Sequence, residues 1–267
     1  MKSVAFISTA GGAGRTTLTA ALAVLLARRD RPVVALDLDP QNMLGAHLGL
    51  DSFAQAGLGH AMAGRIAPWR GNTWRNAEGV VFAPHGETTL AELAASEARL
   101  AAEPRWLADA LAQIDLPAHG VALIDTARYP SQQADQALRA ADLVLCVTPP
   151  EPAACATLAR GFARLQASTA QVRVVVNRLN PAREMQRDAL ALLRAAVGDA
   201  LELSHRVHFD AAMADSLARG GWIFDDAPHS QASHDLHGLV NWLDAWLDAE
   251  VGGGVTSGVA AGSERAK

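Results

Sequence analysis

An apolar run at residues 3–7 opens directly into Thr9-Ala10-Gly11-Gly12-Ala13-Gly14-Arg15-Thr16-Thr17, and a helical pattern follows without a break. Glycines at 11, 12 and 14 free the backbone of Cβ atoms, so its N–H groups can converge on an anion. The helix that starts behind them adds the partial positive charge of its N-terminus. Strand, glycine loop and helix in this order predict a phosphate-binding turn, with the Thr16 hydroxyl placed for Mg²⁺ and Thr17 for an inner phosphate. Taken alone, the same residues suit a plain turn between a strand and a helix equally well.

Such a turn needs a sheet, and the chain supplies one. Continuous Val, Ile and Leu-rich runs recur at residues 3–7, 33–38, 80–83, 121–124, 143–147 and 172–176. Runs of this kind belong to strands covered on both faces. Helical spacing fills the gaps, at 16–29, 90–101, 106–114, 132–140, 153–166 and 182–197. The alternation predicts an α/β fold, a mostly parallel sheet with helices on both faces, whose ligands gather at the strand carboxyl ends. With 267 residues one core suffices, so residues 1–250 read as a single nucleotide-binding domain. A last helix over about 235–250 places Leu236, Leu239, Val240, Leu243, Trp246 and Leu247 on one face and is expected to pack back on the body. Residues 251–267, opening Val251-Gly252-Gly253-Gly254, are expected to form a disordered tail.

Two further segments fall where a phosphate loop would use them. The second strand ends Leu36-Asp37-Leu38-Asp39-Pro40-Gln41, and Val121-Ala122-Leu123-Ile124-Asp125-Thr126 is an apolar strand ending in Asp, suited to a Mg²⁺-bound water. Asp caps many strands and turns. Three such segments in this order on these elements make a coincidence of turns a poor account.

Together they resemble the ParA/MinD family of P-loop ATPases, whose deviant loop reads Lys-Gly-Gly-x-Gly-Lys-Thr-Thr; the resemblance runs from Lys2 to about Trp246. It implies ATP and Mg²⁺ as cofactors and a homodimer formed around sandwiched ATP. Carried over by position, Gly11, Gly12, Ala13, Gly14, Arg15, Thr16 and Thr17 would bind the phosphates. Thr16, Asp37 and Asp125 would support the metal, Asp39 would orient or activate the attacking water, and Asn177 with Arg178 would bind adenine. Two positions depart from the pattern. The opening lysine, which reaches the opposite subunit's nucleotide, is Ala10, and the phosphate lysine is Arg15. Arginine keeps the charge but its planar fork is larger than an ammonium. Backbone amides and Mg²⁺ supply much of the binding field, whereas transition-state stabilisation depends closely on placement. The expectation is nucleotide binding with weak or negligible turnover.

Within that family, Asp39-Pro40-Gln41-Asn42-Met43-Leu44-Gly45-Ala46-His47-Leu48-Gly49 is similar to the BcsQ (YhjQ) proteins of bacterial cellulose operons. Gly57-Leu58-Gly59-His60-Ala61-Met62, Trp69, Trp74 and Phe82-Ala83-Pro84-His85-Gly86 fit the same group. This implies a cytoplasmic regulatory subunit, peripherally associated with an inner-membrane cellulose synthase complex and working with a short BcsR-type partner. No recognisable glycosyltransferase machinery is present. His47, His60 and His85 read as ordinary surface or helix-end histidines rather than a metal site, and Trp69, Trp74 and Trp106 as packing.

Other classes fit less well. Net charge is −5, so nothing draws the whole chain to nucleic acid, although Arg28, Arg29 and Arg31, or Arg160, Arg164 and Arg173, could serve a ParA-like protein that binds DNA nonspecifically. The final helix is acidic on its polar face, unlike a membrane-binding helix, and no apolar stretch is long enough to span a bilayer. Cys146 and Cys155 make neither a disulfide framework nor a cluster-bridging pattern, which fits a reducing cytoplasm. The segment 209–233 could border a base or a partner, and its sequence does not choose between them.

Overall fold

The computed structural model describes residues 1–65, 69–168, 170–198 and 206–252. In chain order its elements are β1 (Lys2–Ile7), α1 (Arg15–Ala27), β2 (Val33–Asp37), α2 (Leu44–His47), α3 (Leu58–Met62), β3 (Trp74–Arg75), β4 (Val81–Ala83), α4 (Leu90–Ala102) and α5 (Trp106–Ala112). There follow β5 (Val121–Asp125), α6 (Gln132–Ala140), β6 (Leu143–Thr148), α7 (Pro152–Gln166), β7 (Gln171–Leu179), α8 (Glu184–Val197), β8 (Val207–His208), α9 (Ala212–Ala218), α10 (Ile223–Asp226) and α11 (Gln231–Gly252). The strands form one sheet in the order β3-β4-β2-β5-β1-β6-β7-β8, parallel except for β3 against β4. The α/β expectation therefore holds, with two short edge strands, β3 and β8, that two-residue runs could not announce.

Each central strand is apolar at every position because its alternate side chains enter different cores. Ala5, Ile7, Leu36, Ile124, Val144, Cys146, Val174 and Val176 point into a core shared with Leu100, Leu107, Leu138, Leu158, Phe162 and Leu190 of α4 to α8. Val4, Phe6, Ala35, Leu123, Leu145, Val147 and Val175 point into the opposite one, with α1 and α11. Local signals start several helices. Thr89 and Glu92 make a capping box on α4, Ser131 Oγ accepts the Ala134 N–H at α6, and Pro152 opens α7. Both cysteines are buried and free, and burial pushes their thiols up to about 12 at Cys146 and about 11 at Cys155.

The last helix packs on α1 as expected, with Leu236, Leu239, Val240, Leu243 and Leu247 all buried. It begins a turn before residue 235 because Ser230 Oγ accepts the Ser233 N–H. It reaches Gly252, two residues into the expected tail; residues 253–267 lie outside the described residues. The acidic face of α11 meets the basic group that a DNA reading would use. Arg31 pairs with Asp244 and Asp248, Arg29 with Asn241 and Asp244, and Arg28 with Glu78 and Asp225. The positive charge of Arg28, Arg29 and Arg31 is thus answered within the molecule. Among the described residues no helix is long and apolar enough to cross a membrane.

If α11 completes the second core, Leu243→Ala should lower unfolding free energy by about 2 to 5 kcal/mol. Urea unfolding that shows a loss below about 0.5 kcal/mol, the scale of an ordinary surface change, would contradict that packing.

Candidate nucleotide-binding site

The loop between β1 and α1 turns on Gly12 at φ 66° and Gly14 at φ 88°. A side chain at Gly14 would be strained there and would also run into Asn177 Nδ2. Gly14 is the N-cap of α1, yet no side chain caps that end and no acidic residue occupies the first turn. An uncapped helix start behind a glycine turn presents N–H donors and partial positive charge to an anion. The carboxyl end of β7 fastens the loop from the other side. Asn177 Nδ2 donates to Ala13 O at 2.7 Å, and Arg178 Nη1 donates to Gly12 O at 3.0 Å from a left-handed backbone of φ 63°.

Register brings the carboxylates to the same edge. Asp37 of β2 lies opposite Asp125 of β5, and Phe6 of β1 lies opposite Asp125 on the other side. The Thr16 hydroxyl donates to Asp125 Oδ2 at 2.6 Å. Asp37 accepts the N–H groups of Asp39 and Leu44, each at 3.0 Å, so it shapes the turn after β2. Asp39 Oδ1 accepts the Gln41 N–H, while Asp39 Oδ2 pairs with Arg15 Nη2 at 2.9 Å. The Arg15 and Asp39 side chains are only 10% and 9% exposed, so this is a nearly desolvated pair. Arg15 Nη1 and Asp125 Oδ1 are buried without a hydrogen-bond partner among the described residues.

Burial raises Asp125 to about 7, against the opposing pull of the Arg15 charge and the Thr16 hydroxyl. Burial, and then the neighbouring Asp125 charge, also hold Asp37 well above the usual carboxylate range.

Two histidines border this site, His208 and His47, and the second is bonded to the loop. His47 Nδ1 lies 2.9 Å from Met43 O, which only accepts, so that nitrogen carries a proton. Burial lowers the His47 pKa and favours the neutral ring, so Nε2 accepts the Thr17 hydroxyl at 3.2 Å. His47 does close α2, as a helix-end reading has it, but its ring is bonded to the loop as well. Its link to Thr17 was invisible in sequence because it joins positions thirty residues apart.

These groups line a cleft of about 700 Å³ that takes in residues 11–18, Asp39, Gln41, Met43, His47, Arg128, Asn177 and Arg178. Its far wall is the segment whose role the sequence left open: Phe209, Asp210, Met213, Ala214 and Leu217 face the loop. Phe209 is half exposed and lies 5.9 Å from the Arg178 guanidinium. A larger groove of about 1040 Å³ between α5, α6 and the end of α7 lacks such a loop. The cleft is thus apolar on one side and rich in donors on the other, with a volume suited to a small organic ligand.

The family model described as cellulose biosynthesis protein BcsQ matches residues 1–243. The chain belongs to that family. Its fold is that of MinD and ParA-type P-loop ATPases. The MinD septum site-determining protein of Pyrococcus horikoshii, solved with Mg-ADP, superimposes with a TM-score of 0.74 at 22% identity, covering 93% of this chain and 98% of that one. A variant of Cyanothece McdA, solved as its ATP complex, gives 0.74 at 19% identity, covering 91% and 96%. A plasmid partition protein of Borrelia burgdorferi bound to AMPPNP gives 0.70 at 14% identity, covering 93% and 98%. At such identities the likeness is one of fold. No curated protein sequence matches the chain.

The segments that had suggested the BcsQ group also acquire a physical meaning. Leu58 N–H donates to Pro84 O at 2.9 Å and Gly59 N–H to His85 O at 2.8 Å, so the two glycine and histidine segments are packed together. Neither Gly57 nor Gly59 has room for a Cβ, the second because the His85 ring lies against it. His85 is completely buried, a correction to its reading as a surface residue. Asn42 joins the assembly by accepting the Gly86 N–H at 3.0 Å and donating to Ala54 O at 3.1 Å. The tryptophans read as packing include Trp69, which is buried, and Trp74, which stacks on Phe82.

Two outcomes follow from the site alone. Gly14→Ala should cost about 1 to 3 kcal/mol through backbone strain, read as a lower Tm; an unchanged Tm would mean the loop has another shape. Asp125 has a folded pKa near 7 against an unfolded value of about 4, so between these values the folded protein holds the additional proton and stability falls as pH rises. Without Mg²⁺, Asp125→Asn should therefore gain Tm relative to the parent on going from about pH 5 to pH 8. An equal difference at both pH values would contradict the raised pKa.

Proposed function

We propose that this chain is an ATP-gated, dimerising regulatory subunit that supports assembly or activation of a bacterial cellulose synthase complex, with weak or negligible hydrolysis. It would act in the cytoplasm, peripherally on the membrane complex, together with a short BcsR-type partner. The observation that carries this reading is a phosphate-type loop, in a BcsQ-family chain, whose one basic side chain is held by a carboxylate at 2.9 Å.

The residues fit a magnesium nucleotide. Residues 11–17 offer open amides at an uncapped helix start, and the buried Arg15 Nη1 and Asp125 Oδ1 are without partners among the described residues. Gly11, Gly12, Ala13, Gly14, Arg15, Thr16 and Thr17 would hold the phosphates. Thr16 and Asp125 would hold Mg²⁺, with Asp37 supporting them, and Asn177 with Arg178 would border the adenine. Bound ATP supplies a shared anionic ligand that two copies can enclose.

The chain's own residues argue against fast hydrolysis. Asp39, the candidate for orienting water, spends one oxygen on Arg15 and the other on the Gln41 N–H. Ala10 brings no cation to a second subunit, and Arg15 cannot sit where an ammonium would. Slow turnover keeps a clamp closed. Ligand at a hundred times its dissociation constant stabilises the binding-competent form by about 2.7 kcal/mol.

Sedimentation with Mg·ATP should show a dimer that dissolves when nucleotide is removed, and phosphate release should stay well below about 1 per second, the lower range for committed phosphoryl-transfer enzymes. Turnover at that rate would overturn the clamp. Gly12→Val, which puts a branched side chain at φ 66°, should abolish both dimerisation and support of cellulose synthesis in the host; persistence of both would defeat the reading.

A further inference from the structure

Arg15 and Asp39 come from different elements. Arg15 begins α1 inside the glycine loop, and Asp39 follows β2 on the neighbouring side of the cleft. Both residues line the cleft that holds the loop, and their paired side chains are both nine-tenths buried. The contact uses a single guanidinium nitrogen. Nη2 is engaged at 2.9 Å, while the buried Nη1 is without a partner among the described residues. A second anion could therefore be accepted by the same fork. Asp39 does not depend on Arg15 for its position, because the Gln41 N–H donates to its other oxygen at 3.0 Å. The Asp39 N–H donates to Asp37 Oδ1 at 3.0 Å, which fixes the turn further.

We propose that Asp39 is an affinity-setting residue of the cleft, holding Arg15 in a latch that nucleotide phosphate must take over. Deepening the nucleotide reading, it turns the carboxylate from a helper of hydrolysis into a competitor of the ligand. Removing a cation from a nearly desolvated pair leaves the carboxylate beside an incoming anion, a costly arrangement unless a new cation arrives. Mg²⁺ carried by the nucleotide meets that need, so the latch also makes tight binding depend on the metal. Free nucleotide, anionic without its metal, would meet Arg15 only at Nη1 and beside the Asp39 charge.

The test is a two-by-two set of full-length variants titrated with a fluorescent ATP analogue, in Mg²⁺ and in EDTA. Asp39→Asn keeps an oxygen for the Gln41 N–H and removes the charge. It should bind at least tenfold more tightly than the parent in EDTA, with a smaller gain in Mg²⁺. Arg15→Gln should bind more weakly than the parent. The double variant should gain clearly less over Arg15→Gln than Asp39→Asn gains over the parent, because removing the bare carboxylate relieves only repulsion whereas in the parent it also frees Arg15. Equal gains from Asp39→Asn with and without Arg15 would reveal plain repulsion by the carboxylate and overturn the latch. So would unchanged or weaker binding in Asp39→Asn. Tm of each ligand-free variant separates folding defects from binding effects, and Arg15→Lys should restore part of the Mg²⁺-dependent affinity. If the parent and Asp39→Asn both failed to bind the analogue at millimolar concentration, the nucleotide reading itself would fall with the latch; binding by the parent unaffected by Asp39→Asn would remove the latch alone.

Discussion

Parallel strands deliver their carboxyl ends to one edge of a sheet, and in this protein that edge decides everything about the site. β1 ends in the glycine loop, β2 ends beside Asp39, β5 ends in Asp125 and β7 carries Asn177 and Arg178 in its last three residues. Residues spread over more than 160 positions meet because their strands run parallel in one sheet, not because of local sequence. The edge is held by two cores, one on each sheet face, and the strands that carry the site belong to both.

Electrostatics then settles what such an edge can do. Four charged side chains, Arg15, Asp37, Asp39 and Asp125, stand in a largely desolvated corner with a net negative balance. Burial answers part of that by raising Asp37 and Asp125, and the Arg15 to Asp39 pair answers another part. A ligand bringing both anionic and cationic groups suits the corner better than an anion alone. An arginine in place of a lysine changes the partner as well as the geometry, since the longer planar group reaches across to Asp39. Hydrolysis is the function most exposed to that change, whereas a binding-driven clamp tolerates it.

Sequence alone made the strands, the major helices and the three chemical segments legible, because continuous apolar runs and glycines at fixed offsets report local physics. Thr16 and Asp125, read separately as metal supports, lie within one hydrogen bond of each other at 2.6 Å. Other features escaped because they arise from distance along the chain. The Arg15 to Asp39 pair, the Thr17 to His47 hydrogen bond and the packing of Gly59 on His85 each need the fold before they exist. The segment 209–233 was unreadable for a related reason: its two helices before α11 are too short to show a periodicity, yet its residues 209–217 form a wall of the cleft.

A loop without a lysine can grip a nucleotide chiefly through the backbone amides of residues 11–17. Amide NMR of ¹⁵N-labelled protein titrated with Mg·ATP reads those groups one by one. Saturable shifts concentrated at Gly12, Gly14, Thr16 and Thr17 are the expected result. Spectra in which those four signals stay unmoved at millimolar Mg·ATP would contradict it.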